Sequence, residues 1–70
     1  MTAEQILRDS LQILPLDDDL NEMLLRLFYA KKDKCALILH YNKIKALYQD
    51  ELGIEPSSNM QELFIKGSKF

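Results

Sequence analysis

The chain has 70 residues, 47% of them hydrophobic and 29% charged, which is the balance of one small globular domain rather than of a disordered chain. Nine Lys and Arg against eleven Asp and Glu give a formal net charge of -2, without the basic excess that a domain binding nucleic acid by itself normally shows. A single cysteine excludes an internal disulfide and fits a cytoplasmic location, and with only one histidine beside it a Cys/His zinc site is excluded as well. Two glycines are too few for a glycine-rich phosphate loop. No apolar run approaches the roughly 18 residues of a membrane span.

The first helix is predicted over residues 3–14. Its apolar side chains fall within an arc of roughly 160° at about 3.6 residues per turn, so one face of the helix is expected to be buried. The residues of this face are Ala3, Ile6, Leu7, Leu11, Ile13 and Leu14. Pro15 ends the helix, because the residue before a proline is pushed out of the helical conformation.

The acidic run at residues 17–19 predicts the start of a second helix, since an Asp side chain can cap free backbone N–H groups and suits the positive end of the helix dipole. A metal site is disfavoured because consecutive carboxylates project in different directions. Over residues 20–30 the apolar positions cover roughly 220°, so we expect this to be the central helix, covered by the first and the third. Only Glu22, Arg26 and Tyr29 mark a solvent-facing strip, called here the central-helix strip.

A polar turn at residues 31–34 is short enough to make the flanking helices antiparallel neighbours. The third helix is predicted over residues 35–52, where Gly53 supplies the left-handed residue that ends it and Pro56 prevents its resumption. Ser58 followed by Gln61 predicts a capping box at the start of a fourth helix, and residues 67–70 are expected to form a frayed tail.

These elements predict an all-α fold in which residues 1–70 form a single domain of four short helices. No heptad pattern persists across the breaks at Pro15 and Gly53, so the connections favour stacked antiparallel helical hairpins over a long coiled coil.

The first predicted helix resembles part of a tetratricopeptide (TPR) repeat. The matching positions read A-L-x-L-x-P in such repeats and are occupied here by Ser10, Leu11, Ile13 and Pro15. Ala3, seven residues before Ser10, falls on the other small position of that helix.

A second and more specific run is similar to the end of the bacterial transcriptional activator domain, which reads A-L-x-x-Y…L-x-x-E-L-G-v-x-P-S…L-y. The matching residues are Ala36, Leu37, Tyr41, Leu47, the segment Glu51-Leu52-Gly53-Ile54-Glu55-Pro56-Ser57, Leu63 and Phe64. The resemblance covers residues 3–66 and implies a TPR-like domain of the kind found in antibiotic regulatory proteins and some response regulators.

The resemblance also implies that the chain is the C-terminal portion of a longer regulator, in which a separate upstream domain contacts DNA and this chain does not. A stack of about one and a half repeats is short, so Ala3, Ile6 and Leu7 are expected to pack on a preceding helix, on a second copy, or to remain exposed. The family often has Gly where this chain has Lys32, so we expect the backbone at Lys32 to avoid the left-handed region.

Neither of the two residues best suited to catalysis has the partner that catalysis needs. His40 has Ala36, Leu37, Lys43 and Ile44 as its helical neighbours, so a partly buried structural histidine is favoured over a general base or a metal ligand. Cys35 begins a helix beside Lys34, but no base or second cysteine accompanies it, and a packing role is favoured over a sensor. We therefore predict no catalytic, metal or cofactor site and no enzyme.

Two surfaces are candidates for contact with another protein. The helix that lines the concave groove of TPR domains corresponds here to the second helix, so the first candidate comprises Asn21, Glu22, Arg26 and Tyr29, with an ordinary solvated face as the alternative. The second candidate is a minor apolar stripe of the third helix, Cys35, Leu39 and Ala46, where scattered exposed residues are the alternative.

The function expected from the sequence is that of a non-catalytic module for protein–protein interaction or oligomerisation, such as a dimer, within a bacterial transcriptional regulator. It would bind protein rather than nucleic acid or membrane. The alternative is a free-standing small helical adaptor or anti-regulator that binds a protein partner.

Overall fold

The computed structural model describes residues 2–69 and contains four helices and no strand within that range. The helices are α1 (Ala3–Ile13), α2 (Asp18–Ala30), α3 (Lys34–Leu52) and α4 (Ser58–Gly67). The all-α fold predicted from the sequence is confirmed, and the predicted helix boundaries agree to within one or two residues.

Each helix begins at a side chain that caps its free backbone N–H groups. Thr2, Asp17, Asp33 and Ser57 each accept a hydrogen bond from the backbone N–H three residues further along. The acidic run therefore starts α2 as predicted. The fourth cap is Ser57 rather than the expected Ser58, and Gln61 instead donates its side-chain N–H to the Pro56 carbonyl oxygen at 2.8 Å.

Two turns depend on residues in the left-handed conformation. Gly53 ends α3 with φ +65°, as predicted, where a residue without a Cβ is unstrained. Lys32, in the turn between α2 and α3, has φ +56°. The expectation that Lys32 avoids the left-handed region was therefore wrong: the short turn requires this conformation, and the chain tolerates the strain of a lysine there.

The central position belongs to α2, which packs against α1, α3 and α4, while α3 also packs against α4. This is one neighbour more than the two predicted for α2. The apolar core lies between these helices and consists of Leu7, Leu24, Leu25, Phe28, Leu37, Tyr41, Ile44, Tyr48 and Met60.

Burial differs from the prediction near both ends of the chain: α1 is less buried than expected, and the end of α4 is more buried. In α1 only Leu7 is buried, with Leu11 half-buried, while Ala3, Ile6, Ile13 and Leu14 are exposed because α1 has one neighbour only. In α4 the helix extends through Gly67, where a frayed tail was expected to begin. Gly67 is buried, and an added Cβ would lie 2.7 Å from a Leu37 methyl carbon. Phe70, the last residue of the predicted tail, lies outside the described residues.

Replacing Lys32 with glycine is expected to stabilise the protein by about 0.5–1 kcal/mol. The left-handed conformation costs a residue with a Cβ roughly 1–2 kcal/mol, which exceeds the entropy that glycine loses on folding. Urea unfolding of Lys32→Gly against the parent protein measures this difference. Lys34→Gly is the matched control and is expected to destabilise by up to about 1 kcal/mol, because Lys34 is helical; equal effects of the two changes would contradict the prediction.

Candidate functional site

The central-helix strip is only partly exposed. Arg26 is exposed and forms an ion pair with Glu22, whose oxygen lies 3.2 Å from the Arg26 guanidinium, and Tyr29 is half-buried. Arg26 also borders a shallow depression between α2 and α4, together with Asn59, Glu62, Leu63 and Lys66. A second ion pair lies along α4 at that depression, where Lys66 Nζ lies 2.8 Å from Glu62 and lowers the pKa of the Glu62 carboxyl.

Asn21 does not belong to this surface. Its side chain is 1% exposed, so its predicted place in an interaction surface was wrong. The Asn21 amide nitrogen lies 3.1 Å from the Pro15 carbonyl oxygen and 3.0 Å from that of Asp17, and it therefore donates into the turn between α1 and α2. A buried amide with these partners has a structural role, because it ties α2 to backbone carbonyls of the preceding turn.

The same amide begins a polar network that joins α2 to α3. The Asn21 amide nitrogen, whose two N–H groups are shared with the Pro15 and Asp17 carbonyls, also lies 3.2 Å from the Tyr48 hydroxyl, and that hydroxyl donates to Asp18 Oδ1 at 2.6 Å and lies 3.3 Å from the Leu16 carbonyl oxygen. Burial and the hydrogen bond to Asp18 raise the pKa of Tyr48 to about 12. The network therefore holds the α1–α2 turn, the start of α2 and the middle of α3 in one arrangement.

His40 extends this network towards the surface. Its Nε2 lies 3.2 Å from Asn21 Oδ1, and because an amide oxygen only accepts, His40 Nε2 carries the proton and donates it. Burial, followed by the charges of Lys43 and Arg8, lowers the pKa of His40 to about 4, so the imidazole is neutral at pH 7. An amide oxygen does not orient a histidine for proton abstraction as a carboxylate would.

The minor apolar stripe of α3 is exposed throughout. Cys35 and Ala46 are accessible, and Leu39 is 70% exposed, which makes it one of the most exposed large apolar residues of the described chain. Within residues 2–69 no group of three His, Cys, Asp or Glu side chains could hold a metal ion, and no helix is long and apolar enough to cross a membrane.

An open cleft between α1 and α3, called here the α1–α3 cleft, was not predicted from the sequence. It has a volume of about 380 Å³ and is lined by Gln5, Arg8, Leu11, Gln12, Pro15, Leu24, His40 and Lys43. A neighbouring depression of about 250 Å³ shares Arg8, His40 and Lys43 and reaches Leu39. The available signal was weak, because the charged positions of α1 and α3 have the pattern of ordinary solvated faces until the two helices are placed side by side.

Arg8 is held in this cleft by two groups. Its Nε lies 3.1 Å from Glu4 Oε2, and its guanidinium carbon lies 5.6 Å from the centre of the Phe28 ring. Lys31 Nζ approaches the other Glu4 oxygen at 3.0 Å. Lys31 and Arg8 together lower the pKa of the Glu4 carboxyl, so this one carboxylate is shared between two cations.

The remaining notable surface is the outer face of α1. Ile6 is 51% exposed and Ile13 is 80% exposed, and residues seven apart lie on the same side of a helix. Leu14, which caps α1, is also exposed and forms an apolar surface depression with Ile13, Pro15 and Leu16. We call Ile6, Ile13 and Leu14 the α1 apolar face.

Comparison with known proteins identifies a family. The family model described as "Bacterial transcriptional activator domain" matches residues 2–66, which is nearly the whole chain. No curated protein and no solved structure matches the chain.

Removing the Tyr48 hydroxyl tests the buried network. Tyr48→Phe is expected to destabilise the protein by about 1–3 kcal/mol, because it removes the hydroxyl that donates to Asp18 Oδ1 and accepts from the buried Asn21 amide. Tyr41→Phe is the matched control, since Tyr41 is also buried but its ring stacks on Phe64 at 4.2 Å between centres and lies outside the network. Denaturant unfolding of both variants measures the difference, and equal losses would rule out a special contribution of the network.

His40 is expected to make stability depend on pH. Its pKa is about 4 in the folded protein and near 6.5 when unfolded, so the unfolded chain binds the extra proton and stability falls as pH decreases from 6.5 to 4. We expect a loss of about 1–2 kcal/mol, after solvent screening of a partly exposed ring is allowed for. In His40→Gln, whose amide can still donate to Asn21, this portion of the loss should disappear. Parallel unfolding profiles of the two proteins over this pH range would contradict the prediction.

Proposed function

Because this chain belongs to the bacterial transcriptional activator domain family, we propose that it is a non-catalytic protein-interaction module of a bacterial transcriptional regulator. The observation that carries the proposal is the α1 apolar face. An isoleucine that is 80% exposed and a second that is 51% exposed on the same side of one helix form a surface that another helix can cover.

The packing of α1 explains why this face is open. Leu7 and Leu11 on its inner side meet α2, and α1 packs against no other helix of the described chain. The outer side of α1 is therefore apolar, as a buried helix face would be, but no helix of the described chain covers it. A second copy of this module, packed through the same face, would remove Ile6, Ile13 and Leu14 from water and give a dimer.

The mechanism would be shape and apolar complementarity between helices, with no bond made or broken. In a longer regulator the same face suits a preceding helix of the domain, and a separate upstream domain would contact DNA in the cytoplasm. The absence of enzymatic activity belongs to the same proposal. It is supported by His40, which donates to an amide oxygen and has no carboxylate to orient it.

Light scattering at several protein concentrations tests self-association. Wild type is expected to form a dimer that Ile13→Asp weakens at least about tenfold, because an aspartate in a buried apolar contact costs several kcal/mol. The substitution should leave the fold intact, since Ile13 is 80% exposed in the monomer. Circular dichroism of the variant checks this.

Leu39→Asp is the matched control, because Leu39 is 70% exposed and lies on the minor apolar stripe of α3. A dimer that only Leu39→Asp disrupts would assign the contact to that stripe and overturn the role of the α1 apolar face. A folded monomer at every concentration would overturn self-association.

A further inference from the structure

The α1–α3 cleft is a consequence of how α2 is surrounded. Both α1 and α3 pack against α2, while no packing contact joins α1 to α3 within residues 2–69. A trough therefore runs between them, with the buried side chain of Leu24 from α2 at its base. Its volume of about 380 Å³, extended by the adjoining depression, suits several side chains of a partner segment rather than a single ion.

The lining of the cleft combines an apolar base with polar walls. Leu11 and Pro15 supply accessible carbon surface, the buried Leu24 closes the base, and Gln5 and Gln12 line the α1 side. This is the arrangement of a groove that accepts apolar side chains of an amphipathic segment and hydrogen-bonds the polar groups beside them.

The charge of the cleft has the opposite sign to that of the whole protein. The chain carries a net charge of -2, but the charged residues lining the cleft and its adjoining depression are Arg8 and Lys43, and none is acidic. Arg8 shares the Glu4 carboxylate with Lys31, so these three groups keep a net positive charge. Lys43 forms no ion pair within the described residues, and its ammonium group is available to a partner carboxylate.

We propose that the α1–α3 cleft binds an acidic amphipathic segment of a partner protein, with its carboxylates at Arg8 and Lys43 and its apolar side chains on Leu11 and Pro15. The assignment rests on the proposed function of the chain as a protein-interaction module and specifies the partner. Charge complementarity selects an acidic partner, and the apolar base selects a segment that has leucine-like side chains between its carboxylates.

The same features disfavour a nucleic acid in the cleft. A phosphate backbone gains nothing from an apolar base, and nucleic-acid sites rely on many cations rather than two. The remainder of the surface, with its net negative charge, would also repel an extended polyanion.

A synthetic peptide probe tests the proposal. The probe is a fluorescently labelled peptide of about 15 residues with Leu and Glu at helical spacing, and its control has Gln in place of Glu. Fluorescence anisotropy at about 0.15 M salt, where distant charges are screened, measures binding. We expect the Glu peptide to bind at least about tenfold more tightly than the Gln peptide, because the carboxylates pair with cations in the cleft.

Two variants with equal charge changes locate the site. Lys43→Glu is expected to weaken binding of the Glu peptide at least about tenfold, whereas Lys45→Glu, on the same helix but outside the cleft, should change it less than about twofold. Both residues are exposed, so neither change should disturb the fold. Amide chemical shifts are expected to move at Gln5, Gln12 and Lys43.

Several results would overturn the proposal. Equal weakening by the two variants would show non-specific attraction, and shifts at Asn59 and Lys66 would place the peptide between α2 and α4 instead. A short DNA duplex that binds with the same dependence on Lys43 would assign the cleft to nucleic acid. No peptide binding would remove the cleft assignment, while the light-scattering experiment would still decide the proposed function.

Discussion

Packing around α2 is the constraint on which the other features of this protein depend. Every other helix lies against α2, and most of the apolar core residues come from these three surrounding helices. Asn21 gives this packing a specific arrangement, because one buried amide contacts the α1–α2 turn, Tyr48 on α3 and His40 on α3. Buried polar groups of this kind are costly when unpaired, so the correct arrangement of the helices is favoured over alternatives of similar apolar burial.

The surfaces available to a partner follow from that arrangement. Because α1 has only α2 as a neighbour, its outer side keeps Ile6 and Ile13 in water. Because α1 and α3 both pack against α2 and their backbones do not approach each other closely, a cleft with two cations remains between them. One face is apolar and the other carries two cations, so the two contacts proposed above use different surfaces of the same small module.

Much of the local structure could be predicted from the sequence, because it depends on neighbouring residues. Capping by Asp17 and the left-handed Gly53 involve atoms within a few positions of one another. The candidate sites were predicted less well. Asn21 is polar and was therefore expected at the surface, and only its contact with Tyr48, 27 positions away, explains its burial. The conformation of Lys32 was not predicted either, because the short turn requires a left-handed residue there although a side chain with a Cβ disfavours it.

The sequence by itself determined four amphipathic helices, their order, and membership of a family recognisable over residues 2–66, since periodicity, caps and motifs are properties of contiguous residues. Its single cysteine, single histidine and two glycines also excluded a Cys/His zinc site and a glycine-rich phosphate loop. The tertiary structure alone decided which apolar residues remain exposed, which amide is buried, and that Arg8 and Lys43 line the same cleft. These properties depend on distances between residues far apart in the chain, and such distances are set only when the helices pack.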